Sequence, residues 1–431
     1  MTANDGRRVL RMSSLFRSLK VRPSGSIPGA SAESLLVACR GPLLVVAIGY
    51  ALLLYVLLAE VAFNPTGPIH IGRHFDGRRF WDQSTVVHPG VGYDGQFYYY
   101  LARDPLLRAS DPGSFLDRPA YRYARVLYPL LAWAAALGQA SAIPWMLLGV
   151  SLGAVVIGTV AAVDVVRLLG ASRWLALVFA FSPAVMVGLV ADLTEPTTFA
   201  LVAIGVALHL RGRHRAAGWT LALATLARET SLLVPLGFFL HAVWRRQWRE
   251  SSAYALPQAV PAAWYLWIWA RFGVLPAAQA PPNFGLPFSG AIYRAGVLLG
   301  WQVPLLGETA PASPFPELVF VGLSVAVILL GLTRLILHRD VFSLQLWLQA
   351  AAMFSTAALV WEALISYGRV LGLLYLFLGL ALLAARVPPE GCSICARMAS
   401  AACSLHGGRL PPATSRQRSA GSSLQHDRSG G

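Results

Sequence analysis

Four polar stretches interrupt a chain that is otherwise apolar, and their residue types are those that move protons and hold anions. The longest is Gly92-Tyr93-Asp94-Gly95-Gln96-Phe97-Tyr98-Tyr99, where a carboxylate stands beside aromatic rings and an amide. Asp94 is a candidate general base for a sugar hydroxyl. Tyr93, Gln96 and Tyr98 are candidate sugar contacts, since aromatic faces stack on sugar rings. Asp192-Leu193-Thr194-Glu195-Pro196 and Arg228-Glu229-Thr230 set further charges between apolar runs, and Arg369 precedes the last run. A charge at membrane depth costs about 2.5–3.5 kcal/mol, so these residues are functional candidates by default. Arg228, with its planar fork and permanent charge, is the first choice for holding an anion and Arg369 the second. Glu195 or Glu229 would orient Arg228 or bind sugar hydroxyls, and Asp192 would contact the same substrate. Each residue also has a plain structural reading. Asp94 can cap a helix over 96–103; Asp192, Thr194 and Glu195 can cap the helix that Pro196 opens; Arg228 and Glu229 can pair with charges across a bundle.

The elements that must position these groups are membrane helices. With 431 residues, 56% hydrophobic and 13% charged, the chain is too apolar for an ordinary soluble protein. Its apolar runs predict an all-α, polytopic bundle of about eight to ten spans, each needing roughly 20 residues. The first run, near 42–63, lies too far in and runs too long for a cleaved leader, so it is expected to remain as an anchor. The organisation read from this is a basic cytoplasmic tail over 1–34, a membrane domain over 35–387 with its first external loop at about 64–122, and a polar cytoplasmic tail over 388–431. Residues 1–40 and 386–431 together supply +9 of the net +15, which suits an anionic leaflet and argues against a nucleic-acid surface. Cys392, Cys395, Cys403 and His406 have the ligand types and pair spacings of a zinc site, or are incidental cysteines of a tail without a core. His70 and His74 have the spacing of a helical metal pair, but Pro68, Gly72 and Gly77 predict a loop there. Basic loops at Arg167 and Arg173, at Arg211 to Arg215 and at Arg245 to Arg249 read as cytoplasmic. The segments between them must then turn back, which puts Asp192–Glu195 and Arg228–Glu229 at outer tips facing the compartment of Asp94. The second hairpin would be made of short arms, 216–227 and 231–244; the alternative is one crossing over 216–244.

Four motifs in order, Gly-Tyr-Asp-Gly-Gln-Phe-Tyr-Tyr (92–99), Arg-Val-Leu-Tyr-Pro-Leu-Leu-Ala (125–132), Asp-Leu-Thr-Glu-Pro (192–196) and Leu-Ala-Arg-Glu-Thr (226–230), resemble a bacterial multi-pass family linked to cell-surface glycopolymer formation. That family is similar in turn to the GT-C membrane glycosyltransferases, and the likeness covers the first helix to about residue 245. The resemblance implies an acidic residue of the first external loop near the reaction centre, matched here by Asp94. It also implies a polyprenyl-phosphate sugar as donor, a glycan or lipid-linked acceptor, and a site on the outer face of a bacterial inner membrane. The paired acidic motif of some members is absent, since Gly95 follows Asp94, which leaves a need for Mg or Mn open. Two other classes fit the same charges: a transporter or flippase of lipid-linked sugars, with charges lining a path, and a non-catalytic subunit of a polymer-assembly complex.

Overall fold

Helices form wherever the sequence is apolar, but breaks divide more of the runs than composition suggests. The computed structural model describes residues 32–305 and 313–385. The two tails, with Cys392, Cys395, Cys403 and His406, lie outside the described residues. In chain order the helices are α1 (Ala32–Ala59), α2 (Gly95–Arg103), α3 (Pro119–Tyr123), α4 (Leu127–Ala135), α5 (Ile143–Leu168), α6 (Ala176–Ala180), α7 (Pro183–Val190) and α8 (Glu195–Leu210). They continue as α9 (His214–Ala227), α10 (Leu233–Trp244), α11 (Trp248–Ala255), α12 (Ala259–Phe272), α13 (Ser289–Leu298), α14 (Phe315–Leu337), α15 (Val341–Phe354), α16 (Leu364–Val370) and α17 (Gly372–Ala384).

Among the described residues three stretches are long and apolar enough to cross a membrane, Leu35–Ala59, Ala140–Leu168 and Phe315–Leu337, or five if each of two bent pairs is one span. That is fewer than the eight to ten that apolar runs suggest. The reason is length: α8, α9, α10 and α15 have only 16, 14, 12 and 14 residues. Even α8 is only about 24 Å long at 1.5 Å per residue, short of a hydrocarbon core of about 30 Å. The bent pairs are 173–180 with 183–190, at 46°, and 364–370 with 372–384, at 43°. The first break has a local cause. Pro183 disfavours the helical conformation at the residue before it, and Ser182 is extended. Broken apolar helices leave polar backbone ends inside the bundle, and such ends are where membrane proteins place binding sites.

Arg228 is extended and separates α9 from a short 3-10 turn, Glu229–Leu232, that leads into α10. The chain reverses there. On the return, Phe238 of α10 lies against His209 at the end of α8, with ring centroids 4.3 Å apart, and Tyr254 of α11 bonds both His209 and His214. A second tip, residues 191–194, joins α7 to α8.

The segment after α1 folds back onto the helices. Ile71–Gly72 (β1) pairs in parallel with Val87–His88 (β2), Ile71 opposite Val87. A Cβ on Gly72 would lie 2.2 Å from the Gly92 nitrogen, so this crossing of two backbones demands glycine. His70 and His74 sit in loop and turn, as the sequence predicts, and His70 packs against the His88 ring at 5.6 Å. α2 runs underneath with Tyr98, Tyr99 and Tyr100 buried against Phe115, Tyr123 and Tyr128. The Trp264 indole of α12 donates to the Tyr123 carbonyl at 2.9 Å, and the Gln279 side chain accepts from the Ala120 amide at 2.9 Å. The loop is therefore a packed layer that holds α2 and α3 against the two tips.

Candidate functional site

Gly95 fixes where Asp94 stands. A Cβ at residue 95 would be 2.4 Å from the Ala191 carbonyl oxygen and 2.8 Å from that of Ile69, so the start of α2 lies directly on the α7–α8 tip. The backbone of Asp94 is already helical and its side chain makes no cap hydrogen bond, which corrects the capping reading. Its oxygens go elsewhere. Oδ2 accepts from Arg369 Nη2 of α16 at 2.9 Å, and Oδ1 stands in an ion pair 3.0 Å from Arg122 Nη1 of α3.

The charges continue in alternation on both sides of Asp94. Arg122 donates from Nε and Nη2 to both oxygens of Asp117, at 2.7 and 2.9 Å. Arg369 Nη1 lies 3.6 Å from Glu195 Oε1, an ion-pair distance, and Arg228 Nη1 donates to that same oxygen. The result is a ladder: Asp117, Arg122, Asp94, Arg369, Glu195, Arg228. Beside it Arg125 Nε donates to Glu229 Oε2 at 2.7 Å, and its Nη1 donates to the Tyr98 hydroxyl at 3.0 Å. Aromatic faces cover three of the guanidiniums. Arg122 lies 4.1 Å from the Phe97 centroid, Arg125 4.5 Å from Tyr121 and Arg369 5.5 Å from Tyr93. Stacked and doubly bonded arginines keep their forks fixed, which is what recognition of a planar or tetrahedral anion needs.

Burial alone would raise the Asp94 carboxyl, but Arg122, Arg369 and Arg125 outweigh it and hold it well below the usual carboxylate range. Burial likewise works to lower Arg122, and the carboxylates of Asp94 and Asp117 reverse that and raise it. Asp192 has the opposite fate. It is fully buried, meets no guanidinium among the described residues, and accepts from Tyr128 at 3.3 Å, so burial pushes its carboxyl up. Its positive φ of 49° is one that Asp tolerates.

Of the residues named from sequence, Asp94, Glu195, Arg228 and Arg369 meet in the ladder, while Glu229 and Tyr98 join it at the side through Arg125. Tyr93 lies under Arg369. Two of the residues expected at the substrate are engaged within the fold. Gln96 accepts from the Gly72 amide at 3.1 Å and donates to the Val91 carbonyl at 2.7 Å, so it ties down the loop. Asp192 accepts from the Tyr128 hydroxyl at 3.3 Å. The capping reading of the second tip also fails, since Thr194 precedes α8 with no side-chain cap bond and the Pro196 ring helps start the helix. Arg122, Arg125 and Asp117 received no role from sequence. Their signal is the run Arg122-Tyr123-Ala124-Arg125, two guanidiniums about one helical turn apart at the mouth of an apolar stretch, opened by Pro119.

A second buried cluster stands behind α16. Arg294 of α13 donates to Glu317 Oε1 of α14 from Nε at 2.8 Å, and Tyr367 donates to that oxygen at 2.7 Å. Tyr293 bonds the Glu362 carboxylate and Arg294 the Glu362 carbonyl. Tyr367 is two residues from Arg369, so this strut holds the helix that carries the fourth rung.

Among the described residues no three carboxylates, histidines or cysteines converge on a point, and both Asp94 oxygens are taken by guanidiniums. The donor set does not fit a divalent cation. The arrangement suits binding of an anion between fixed guanidiniums and proton transfer to a carboxylate among them. Compared with protein-family models, with curated proteins and with solved structures, the chain matches none.

Proposed function

We propose that this membrane protein is a GT-C-like glycosyltransferase. It transfers a sugar from a polyprenyl-phosphate donor to a cell-surface glycan or lipid-linked acceptor at the outer face of a bacterial inner membrane. The observation that carries this reading is Asp94, a carboxylate of a folded loop held between guanidiniums from two other elements, at the level where two short helical hairpins turn. In the reaction the acceptor hydroxyl oxygen bonds the anomeric carbon, the bond from that carbon to the phosphate oxygen breaks with its electron pair, and the hydroxyl proton passes to Asp94. The leaving phosphate gains a negative charge, which the guanidiniums offset. Short broken helices suit the chemistry, because they let substrate headgroups reach charges that lie below the plane of the loop.

The test is transfer of radiolabelled sugar from a panel of polyprenyl-phosphate sugars to membrane acceptors, using purified wild type and Asp94→Asn in lipid. Transfer by the wild type and none by a folded Asp94→Asn protein is the expected result. Full transfer by Asp94→Asn would remove Asp94 from the mechanism.

A further inference from the structure

We propose that the donor phosphate takes the place of Asp94 between Arg122 and Arg369, and that this displacement frees Asp94 to act as the base. The inference rests on the glycosyltransferase reading and says how its site is switched on.

The ladder is balanced as it stands. Three guanidiniums alternate with three carboxylates from Asp117 to Arg228, and the neighbouring Arg125 is matched by Glu229. An arriving anion therefore finds each of these cations committed and has to displace a carboxylate. The three carboxylates differ in how they are held. Asp117 takes two parallel bonds from one guanidinium, the strongest arrangement for such a pair. Glu195 has a side chain only 1% exposed and is sealed behind its arginines. Asp94 accepts one hydrogen bond, from Arg369, stands in an ion pair with Arg122, and its side chain is 21% exposed. It is the rung that can leave.

The seat it would vacate suits a phosphate. A phosphodiester has two non-bridging oxygens, and Arg122 and Arg369 each set a guanidinium beside one of the two oxygens of Asp94, at 3.0 and 2.9 Å. Arg369 has a further donor, because its buried Nε bonds nothing in this state. Arg228 is a poorer seat. Its Nε donates to Thr230 at 3.2 Å and its Nη1 to Glu195, and it is buried. The exchange also answers a difficulty of the mechanism. With two guanidiniums paired to it, Asp94 is held a weaker base than an ordinary carboxylate. Once the phosphate holds both arginines, Asp94 keeps its charge but loses its two partners, and its basicity rises as the acceptor arrives. After transfer the product phosphate, one charge more negative, stays on the arginines until it leaves. Asp94 then gives its proton to water and returns to its place.

The measurement is binding of farnesyl phosphate, with farnesol as the uncharged control, to the full chain in phosphatidylcholine nanodiscs by calorimetry. Wild type should bind the phosphate better than the alcohol. Asp94→Asn, which removes the competing carboxylate, should bind the phosphate at least about tenfold more tightly with farnesol unchanged. Arg369→Gln should abolish that gain in the double variant. If wild type binds the phosphate selectively and a folded Asp94→Asn protein binds it equally or less well, the exchange is wrong while the donor class stands. If neither protein distinguishes phosphate from alcohol, the donor class fails and the exchange with it. Should Asp94→Asn not fold, Arg122→Lys and Arg369→Lys carry the test, since each keeps the charge but loses the fork. Each should weaken phosphate binding by about tenfold, and unchanged binding in both would overturn the seat.

Discussion

Gly95→Ala tests whether the contact between α2 and the α7–α8 tip sets the site. The added methyl would sit 2.4 Å from the Ala191 oxygen and 2.8 Å from the Ile69 oxygen. Ordinary contacts of this kind are about 3.5 Å, so the start of α2 must retreat by roughly 1 Å. Both neighbours are backbone and cannot swing aside. Overpacking of this sort costs about 1–3 kcal/mol. The same retreat carries Asp94 off Arg122 and Arg369, now at 3.0 and 2.9 Å, beyond hydrogen-bond reach. A misplacement of about 1 Å can cost about 100-fold in rate, so loss of transfer should exceed what the stability change explains. The assay is a thermal melt of purified protein in nanodiscs beside sugar transfer, with Gly149→Ala as control because a Cβ there meets nothing within 4 Å. Gly95→Ala melting and transferring like the wild type would show that the tip contact does not set Asp94.

Further outcomes follow from the same geometry. Glu195→Gln and Arg228→Gln should each destabilise by about 3–5 kcal/mol, because each strands a buried charge. The double variant should fall short of their sum by about 0.5–3 kcal/mol in a thermal-melt cycle, and strict additivity would deny the pair. Asp192→Asn should gain on the wild type as pH rises from about 4 to about 7. The raised carboxyl of Asp192 keeps its proton in the fold while the unfolded chain sheds it, so the wild type loses stability over that window and Asn does not. A difference in melting midpoint that stays flat with pH would mean Asp192 is ionised in the fold. Gln96→Ala should lower stability by about 1–3 kcal/mol, through the two backbone groups it leaves unsatisfied. Loss of acceptor affinity with an unchanged melt would instead return Gln96 to the substrate.

Apolar composition and charges at two tips were legible in the sequence because each is a local property. Arg228-Glu229 between two runs too short to span implies a reversal, and the chain reverses there. Glu195, Arg228 and Arg369 stood out because membrane helices seldom tolerate charge, and Asp94 because it is a carboxylate set among aromatic rings in a loop. What could not be read locally is which charge each one meets. Arg122 and Arg125 lie at the edge of an apolar run, where an arginine commonly reaches for headgroups, and nothing near them names partners at 94 and 229. The caps misled for a related reason. Asp before a helix start accepts from free amides by default, but two guanidiniums brought in by α3 and α16 compete for the same oxygens and win, since charge-assisted bonds are about twice as strong as neutral ones. The apolar runs outnumber the helices long enough to span because runs such as those of α8, α9, α10 and α15 are mostly apolar yet only 12 to 16 residues long.

The ladder draws its rungs from residues 94, 117, 122, 195, 228 and 369, so it cannot close until nearly the whole described chain has been made. A nascent chain that stops before α16 carries Asp94 and Glu195 each short of one cation. In a setting where an uncompensated charge is costly, that shortfall marks an unfinished molecule from a finished one. The last rung to arrive, Arg369, thus acts as a proofreader of assembly, and a truncation that spares every motif in the first half should still leave a chain recognisable to proteolytic surveillance.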